Sequence, residues 1–233
     1  MLFSILIPTL EERRAQFARL EQELRAQIER AKMEAQVELV VWCDNREHSV
    51  GAKRNALLER ARGEYVAFVD DDDAVHQNYV ALITRALREH PDVDCLGIQG
   101  LVYFRGAHPK RFVYSAQYDH YFSRGGVYYR PPYILNPMRR AHAQAFKFPH
   151  VNYSEDAAWA MQLARARILK REVLLPEILY HYYSRRRWYV QALIDATEPV
   201  RHPLGLQMVN RLRVKSGLRD LVRSKRAAPT SRE

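Results

Sequence analysis

The chain of 233 residues is long enough for one large domain, or for one domain with an appendage. Hydrophobic residues make up 47% and charged residues 27%, which is ordinary for a globular protein with a sizeable core. No apolar run approaches the ~18 residues that a membrane-spanning helix needs, and the apolar N-terminal stretch is too short for a signal peptide. We therefore expect a cytoplasmic protein without a membrane span.

The net charge is +10, and arginine greatly outnumbers lysine. A basic balance favours anionic partners, namely nucleic acid, an acidic membrane surface or a phosphorylated substrate. Arginine suits bidentate recognition of phosphate, although a codon bias explains the same count without any function. The two cysteines, Cys43 and Cys95, lie in apolar segments without metal spacing, and we expect reduced thiols in the core.

The first half of the chain alternates between strand-like and helical patterns. Short apolar runs predict strands, and apolar residues at helical spacing predict amphipathic helices. The predicted strands cover residues 2–7, 37–42, 65–69, 93–98 and 101–104, and the predicted helices cover residues 11–36, 52–61 and 78–88. This order is the sequence form of an α/β fold with an open, mostly parallel sheet and helices on both faces.

The second half has a different character. Residues 105–149 are rich in Tyr, Arg, His and Pro without sustained periodicity, as expected for strands and loops around a cleft. A helix is predicted from about residue 154, and residues 173–183 return to a strand pattern. After residue 188 the chain has a helical and increasingly basic pattern, with eight Lys/Arg and one acid between residues 201 and 226. This pattern predicts a basic helical C-terminal extension.

Four consecutive aspartates, at residues 70–73, follow the third predicted strand. Adjacent carboxylates repel one another, so the run costs stability unless a positive charge lies against it. One interpretation is a solvated acidic turn that caps the next helix. The other is a metal site, because in an extended segment Asp70 and Asp72 point the same way and Asp71 points elsewhere. Such a pair leaves positions on Mg²⁺ or Mn²⁺ free for phosphate oxygens.

Two other predicted strands also end in polar residues. Pro8 and Thr9, with Glu11 shortly after, follow the first strand, and Asp44 follows the second. In open α/β sheets, ligands bind outside the carboxyl ends of the strands. The three strand ends therefore predict a crevice of nucleotide size at one edge of the sheet.

An aspartate pair after a hydrophobic strand also occurs in the haloacid-dehalogenase phosphatases. In those enzymes the pair closes the first strand and continues into Thr or Val. Here it closes the third strand and Ala74 follows the last aspartate, so this alternative is matched less well.

A broader match covers roughly residues 2–190, and it consists of five segments in a fixed order. They are FSILIPTLEER at 3–13, VVWCDN at 40–45, GAKRNALLERARGEYVAFVDDDD at 51–73, YSEDAAWAMQL at 153–163 and LYHYYSRRRW at 179–188. With these segments the chain resembles the family 2 glycosyltransferases. The resemblance implies the GT-A fold and inverting transfer from a nucleoside-diphosphate sugar, with residues 1–104 binding the donor and residues 105–190 binding the acceptor.

The resemblance also implies roles for individual residues on the donor side. The implied nucleotide-binding set is Pro8, Thr9, Glu11, Asp44, Lys53, Arg54, Asn55, Asp70 and Asp71. Within it, Asp44 would bond the base, usually uracil, and residues 53–55 would approach the base and the aspartate loop. Asp70 and Asp72 would bind the metal, Mn²⁺ or Mg²⁺, and a Lewis acid there would neutralise the departing diphosphate.

On the acceptor side, Asp156 matches the general base that takes the proton of the acceptor hydroxyl. By itself, the stretch from Ser154 equally fits an ordinary helix N-cap with acids in the first turn. His181 matches a metal- or phosphate-contacting histidine, and it equally fits an ordinary strand histidine. Arg187 would contact the diphosphate, and Ser184 stands where processive members have Gln, which favours a non-processive enzyme.

The acceptor is left open at this stage. The resemblance favours a surface glycan or glycolipid, and the Tyr-, Phe- and Arg-rich residues 118–133 suit stacking on sugar rings or on a modified DNA base. The basic residues 191–233 fit docking on their own domain, peripheral binding to an anionic membrane, or nucleic acid binding. A non-catalytic binding module of the same fold is a further alternative.

Overall fold

The computed structural model describes residues 1–105 and 108–187, apart from the side chains of residues 105 and 185–187. The strands are β1 Phe3–Leu10, β2 Val37–Asp44, β3 Tyr65–Phe68, β4 Ala74–Val75, β5 Cys95–Arg105, β6 Lys110–Tyr114, β7 Phe122–Arg124, β8 Val127–Arg130, β9 Met138–Arg139 and β10 Glu172–Arg187. The helices are α1 Arg14–Arg30, α2 Val50–Arg60, α3 Tyr79–Glu89, α4 Arg140–Ala143 and α5 Glu155–Ala166.

The strands form one sheet whose central pairs are parallel. β1 pairs in parallel with β2 and with β3, and β5 pairs in parallel with β10. β1 lies between two strands, and its residues from Phe3 to Thr9 are all buried. A strand buried on both faces needs a continuous apolar run, which explains the FSILI sequence.

Antiparallel pairs extend the sheet toward the second half. The strand order is β2-β1-β3-β9-β5-β6-β8-β7, with β10 and β4 paired off this path. The predicted α/β fold with a largely parallel central sheet is confirmed, and the short antiparallel strand β9 joins its two halves.

The prediction of two separate strands at 93–98 and 101–104 is wrong, because β5 is continuous from Cys95 to Arg105. Gly100 lies between the two predicted segments, and in the structure it serves close packing within β5. A Cβ at this position would lie 2.2 Å from the Phe112 ring and 2.5 Å from the Tyr180 carbonyl oxygen. The glycine therefore lets β5 approach its neighbours on both sides.

The helices cover the sheet and close the core. α1 packs against α3, and α2 packs against β1 and against α5. None of the helices in residues 1–105 and 108–187 has the length and hydrophobicity of a membrane span. The predicted basic helical extension at residues 191–233 and the side chain of Arg187 lie outside the described residues.

Candidate active site

The carboxyl ends of the first three strands meet at one edge of the sheet. β1 and β2 end side by side, since Leu10 pairs with Asp44 at the last position of their register. Thr9 of β1 donates its hydroxyl to Asp71, which follows β3, over 2.6 Å. The polar residues after these strands therefore lie together, as parallel strands require.

Arg13 offsets part of the repulsion within the run of aspartates. Its guanidinium donates to Asp71 over 2.6 Å and lies 3.3 Å from Asp72. The Asp71 side chain is 1% exposed, whereas that of Asp72 is 28% exposed. Asp71 thus fastens the loop to the β1 edge, while Asp72 remains accessible from outside.

Asp73 fastens the other end of the run to β10. Its carboxylate accepts the Tyr180 hydroxyl and the Tyr183 amide, each over 2.8 Å. The Tyr180 hydroxyl in turn accepts the amide of Asp70 over 3.1 Å. Burial and the neighbouring Asp70 carboxylate raise the pKa of Asp73 to about 8. Asp73 therefore takes up a proton more readily than an ordinary carboxylate, which reduces the charge repulsion within the run.

The helix-cap interpretation of the run is wrong, because α3 begins only at Tyr79 and the residue at its N-cap position is Asn78. The extended geometry assumed for the run is also wrong. The chain turns here, and the Asp73 amide donates to the Asp70 carbonyl over 3.2 Å. The side chains of Asp70 and Asp72 are 30% and 28% exposed. Their exposure follows from this turn and not from the alternation of side chains along a strand.

The donor atoms at this edge fit a hard divalent cation. Burial raises the pKa of Asp70, and the charges of Asp156, Asp72 and Asp71 act in the same direction against Arg54. Such crowded carboxylates gain from a cation nearby. Within the described ranges, no three His, Cys, Asp or Glu side chains form a group able to hold a metal. Carboxylate oxygens are donors that Mg²⁺ and Mn²⁺ accept beside water and phosphate, and the roles of Asp70 and Asp72 as metal ligands stay a prediction.

His181 lies close to this loop, opposite Ala74 in the antiparallel pairing of β10 with β4. Its Nδ1 is 2.9 Å from the Tyr103 hydroxyl. Burial and then His76 lower the pKa of His181, which favours the neutral imidazole that can bind a metal. Its role as a ligand stays a prediction.

Arg54 lies between the aspartate loop and the start of α5. Its side chain is 4% exposed, and its guanidinium is 3.2 Å from Asp70 and 3.4 Å from Glu155. The rings of Phe68 and Phe148 lie 5.3 and 5.9 Å from its central carbon. Arg54 therefore joins residues of the two halves of the chain, and it is too buried to touch a nucleotide as the structure stands.

The acidic pair begins α5 without the cap that its sequence suggested. Ser154 has a left-handed backbone (φ 64°) and makes no side-chain cap bond, so the simple N-cap interpretation is wrong. Burial raises the pKa of Glu155 to about 7, with Arg54 opposing and Asp156 adding to the shift. Asp156 is half-buried, and burial and then the Asp156 carboxylate raise the pKa of the Tyr133 hydroxyl, which places the two groups close together. The carboxylate predicted to be the base thus lies beside the aromatic residues of the second half.

Asp44 is enclosed by donors. Lys53 donates to Oδ1 over 2.7 Å, and the same ammonium donates to the Thr9 carbonyl over 2.9 Å. The amides of Arg46 and His48 and the His48 ring complete four contacts to the carboxylate. Burial opposes ionisation, but Lys53 and the two amides lower the pKa of Asp44 overall. Lys53 therefore keeps Asp44 in place as an ionised acceptor.

Other residues of the predicted nucleotide-binding set differ in their surroundings. Pro8 is buried in β1, and Glu11 is partly exposed beside the Cys43 thiol at 3.2 Å. Cys43 is an exposed free thiol, so its expected core position is wrong, whereas Cys95 is buried as expected. Asn55 exchanges two hydrogen bonds of 2.9 Å with the backbone of Phe148. Asn55 thus fastens the segment before α5, and its nucleotide contact stays a prediction.

Three residues that build the site had no role assigned from the sequence. Arg13 stood within the first family segment, next to the residues to which roles were given. Tyr180 stood within the last family segment and Tyr133 at the end of the aromatic residues 118–133, but the sequence does not show that they contact Asp73 and Asp156.

The pKa of Glu155 is raised from its ordinary value of 4.5 to about 7. The folded protein is therefore more stable at low pH, where Glu155 is protonated, than at high pH, where it is ionised. This contribution is complete below about pH 4.5 and is lost as the pH rises through 7. We expect the melting temperature in EDTA to fall less between pH 5 and 8 in Glu155→Gln than in the parent protein. The exposed Glu59→Gln is the control, since its pKa is lowered, not raised. Parallel profiles for parent and Glu155→Gln would contradict the expectation.

A model of Glycosyl transferase family 2 matches residues 23–174 of the chain. The match covers more than half of the chain and spans both the aspartate loop and the acidic pair. The chain therefore belongs to glycosyl transferase family 2, as the sequence resemblance predicted, and the haloacid-dehalogenase alternative is wrong.

Solved structures with this fold confirm the GT-A class. S. aureus TarS is 19% identical with a TM-score of 0.56, over 79% of this chain and 37% of TarS. TarS 1-349 in complex with UDP-GlcNAc is 18% identical with a TM-score of 0.57, over 82% of this chain and 61% of that one. The mannosyltransferase PcManGT from Pyrobaculum calidifontis, in complex with GDP-Man and Mn²⁺, is 14% identical with a TM-score of 0.50. The match covers 83% of this chain and 60% of PcManGT.

At these identities the likeness concerns the fold. The chain spans between 37% and 61% of the length of these structures. The comparison with curated proteins gave no match.

Proposed function

We propose that the chain is the catalytic domain of an inverting, metal-dependent, non-processive glycosyltransferase. It would move a sugar from a nucleoside-diphosphate sugar to an acceptor hydroxyl. One observation carries the proposal: Asp70 of the aspartate loop and the Glu155–Asp156 pair lie around a single buried arginine, Arg54. The metal-side carboxylate and the base are therefore neighbours, as a single displacement at the sugar carbon requires. A pure binding module would have no use for both.

In this mechanism Asp156 accepts the proton of the attacking hydroxyl. The Tyr133 hydroxyl of the second half lies close to this carboxylate. No protein nucleophile is required, because inversion needs only one displacement. Asp70 and Asp72 would hold the cation, with His181 as a further candidate ligand, and a bound cation would stabilise the negative charge of the departing diphosphate.

The surroundings of Asp44 support uridine as the base of the donor. An ionised carboxylate offers about four acceptor positions, and four donors of the chain already contact Asp44. The His48 ring is the most easily replaced, since it is 51% exposed and its contact of 3.3 Å is the longest. If the His48 ring moves away, one acceptor position of the Asp44 carboxylate becomes free. That position can accept the single N–H of uracil, whereas guanine presents two N–H donors side by side and would need two positions.

A screen of UDP- and GDP-linked sugars with Mn²⁺ tests this function by measuring released nucleoside diphosphate. We expect release from one or more UDP-sugars, at least ~10-fold above the GDP-sugars, because a lost hydrogen bond to a charged group costs about 1.5–3 kcal/mol. TarS 1-349 has been crystallised with UDP-GlcNAc and PcManGT with GDP-Man, so these two donors are included. Release from GDP-sugars alone would overturn the uridine assignment, and no release from any donor would overturn the function.

Charge supports a negatively charged acceptor or surface. Residues 1–104 carry thirteen Lys/Arg and eighteen Asp/Glu, whereas residues 105–187 carry fifteen Lys/Arg and five Asp/Glu. An excess of positive charge on the acceptor half attracts anionic molecules. We therefore favour a surface glycan or glycolipid, with a modified nucleobase second. Peripheral attachment to an anionic membrane through the basic residues after 190 belongs to the same proposal.

A further inference from the structure

Arg54 is held in a closed cage. Phe68 and Phe148 supply the two aromatic walls, with their ring centres 5.3 and 5.9 Å from the guanidinium carbon. Asp70 lies at 3.2 Å and Glu155 at 3.4 Å, and the Arg54 side chain is 4% exposed. Such a charge cannot be solvated by water, so its position is determined by these four neighbours.

The cage leaves part of the guanidinium without hydrogen bonds. Among the described residues, the buried Nη1 of Arg54 has no hydrogen-bond acceptor, and Nε faces Glu155 Oε1 at 3.4 Å but outside hydrogen-bond geometry. A buried donor without a partner costs about 1–3 kcal/mol, and apolar residues of similar volume would often be no less stable. Stability alone therefore does not explain an arginine at this position.

We propose that Arg54 is a positioning residue that sets the distance between the metal-side Asp70 and the α5 N-terminus, which carries Asp156. This proposal rests on the proposed function. Asp70 comes directly after the third strand, whereas α5 comes more than eighty residues later. Arg54 contacts acids on both sides, and Asp156 is among the charges that act on it. This positioning role differs from the nucleotide contact that the family resemblance implied for Arg54.

The backbone around Arg54 is fixed independently of its charge. Asn55 bonds in both directions to the backbone of Phe148. A Cβ on Gly51 would lie 1.8 Å from the Pro149 carbonyl oxygen, so helix α2 and this segment are already in contact. Changes at Arg54 should therefore alter the placement of the two carboxylates without detaching α2 from the segment before α5.

Misplacement of this kind affects the reaction more than binding. Each half keeps its own ligand contacts, but the attacking oxygen and the sugar carbon no longer meet in the productive geometry. A misplacement of about 1 Å is enough to reduce a rate ~10²-fold. We therefore expect Arg54→Lys, which keeps the charge but loses the planar fork, to lower kcat by ~10-fold or more. For Arg54→Met we expect kcat to fall ~10²-fold. In both variants the KM for the UDP-sugar should stay within about threefold of the parent value.

The experiment compares Arg54→Lys, Arg54→Met and Glu155→Gln with Arg85→Met, which removes an exposed arginine from α3. Calorimetry with UDP and Mn²⁺ measures donor-side binding, and UDP release from the active donor measures turnover. A kcat loss in Arg54→Lys with retained UDP binding and an unaffected Arg85→Met would support the proposal. Unchanged kcat in Arg54→Lys would overturn it, as would a loss of UDP binding equal to the loss of kcat.

A double substitution adds a test of the bridge itself. If Arg54 acts through Glu155, Arg54→Lys combined with Glu155→Gln should be about as slow as the slower single variant. If the fold-losses of kcat in the two single variants multiply in the double variant, the two residues act separately, which would contradict the bridge. If the parent protein binds no UDP and releases none from any sugar, the proposed function fails. If the parent is active and Arg54→Lys equals it, only the positioning role fails.

Discussion

Replacement of Asp156 by Asn should lower sugar transfer by ~10² or more while leaving donor binding intact. Asn keeps the shape of the side chain and a carbonyl oxygen for the Tyr133 hydroxyl, but it cannot accept the acceptor proton. Because the residue lies on the second half of the chain, beside Tyr133 and not on the aspartate loop, UDP should bind as in the parent. Turnover measured by UDP release, together with calorimetry of UDP and Mn²⁺, checks both parts.

The control is Asp92→Asn, which neutralises an 84% exposed carboxylate outside the predicted acceptor segment. It should leave turnover within about twofold of the parent, since surface changes have small effects. Near-normal turnover in Asp156→Asn would show that another group takes the proton. Glu155, with a pKa of about 7, would then be the next candidate.

The strands that the sequence predicted most accurately are those whose burial is uniform. The apolar run at residues 3–7 has one explanation, a central strand buried on both faces, and β1 is such a strand. α2 was predicted as residues 52–61 and runs from Val50 to Arg60, packed against β1. In these segments the local pattern and the global fold agree.

The errors arose where a distant contact decides the local geometry. The run of aspartates follows a strand, and alternation was extended into it. In the fold the run turns instead, because the Tyr180 hydroxyl, more than a hundred residues away, bonds both Asp70 and Asp73. The division of β5 into two predicted strands has a similar cause, since the packing of Gly100 against Phe112 and Tyr180 cannot be read from the sequence around it.

The family resemblance predicted the right neighbourhood for Arg54 but not its surroundings. An arginine on a helix is usually solvated, and nothing in the segment KRN indicates that one of the two cations is enclosed by aromatic rings. Burial of Arg54 depends on Phe148, which belongs to a segment without regular periodicity. The interaction that joins the two halves could therefore be found only from the three-dimensional arrangement.

Donor binding should depend on a divalent metal and on Asp72. After Asp70, Asp72 is the most accessible carboxylate of the loop, with a 28% exposed side chain, and its carboxylate lies 3.3 Å from the Arg13 guanidinium. In calorimetry with UDP, we expect binding in Mn²⁺ or Mg²⁺ that weakens by ~10-fold or more in Asp72→Ala. Substitution of residues that only hydrogen-bond to metal ligands already lowers metal affinity about 10–100-fold, so the loss of a ligand itself should cost at least ~10-fold.

The control for this substitution is Asp92→Ala, which removes an 84% exposed carboxylate on a loop far along the chain from the run. It should bind UDP like the parent. EDTA should abolish UDP binding in the parent and leave little difference between parent and Asp72→Ala, because both then lack the cation. Equally tight UDP binding in EDTA would remove the metal from the mechanism. The run of aspartates would then serve only to fasten β1 and β10 through Asp71 and Asp73.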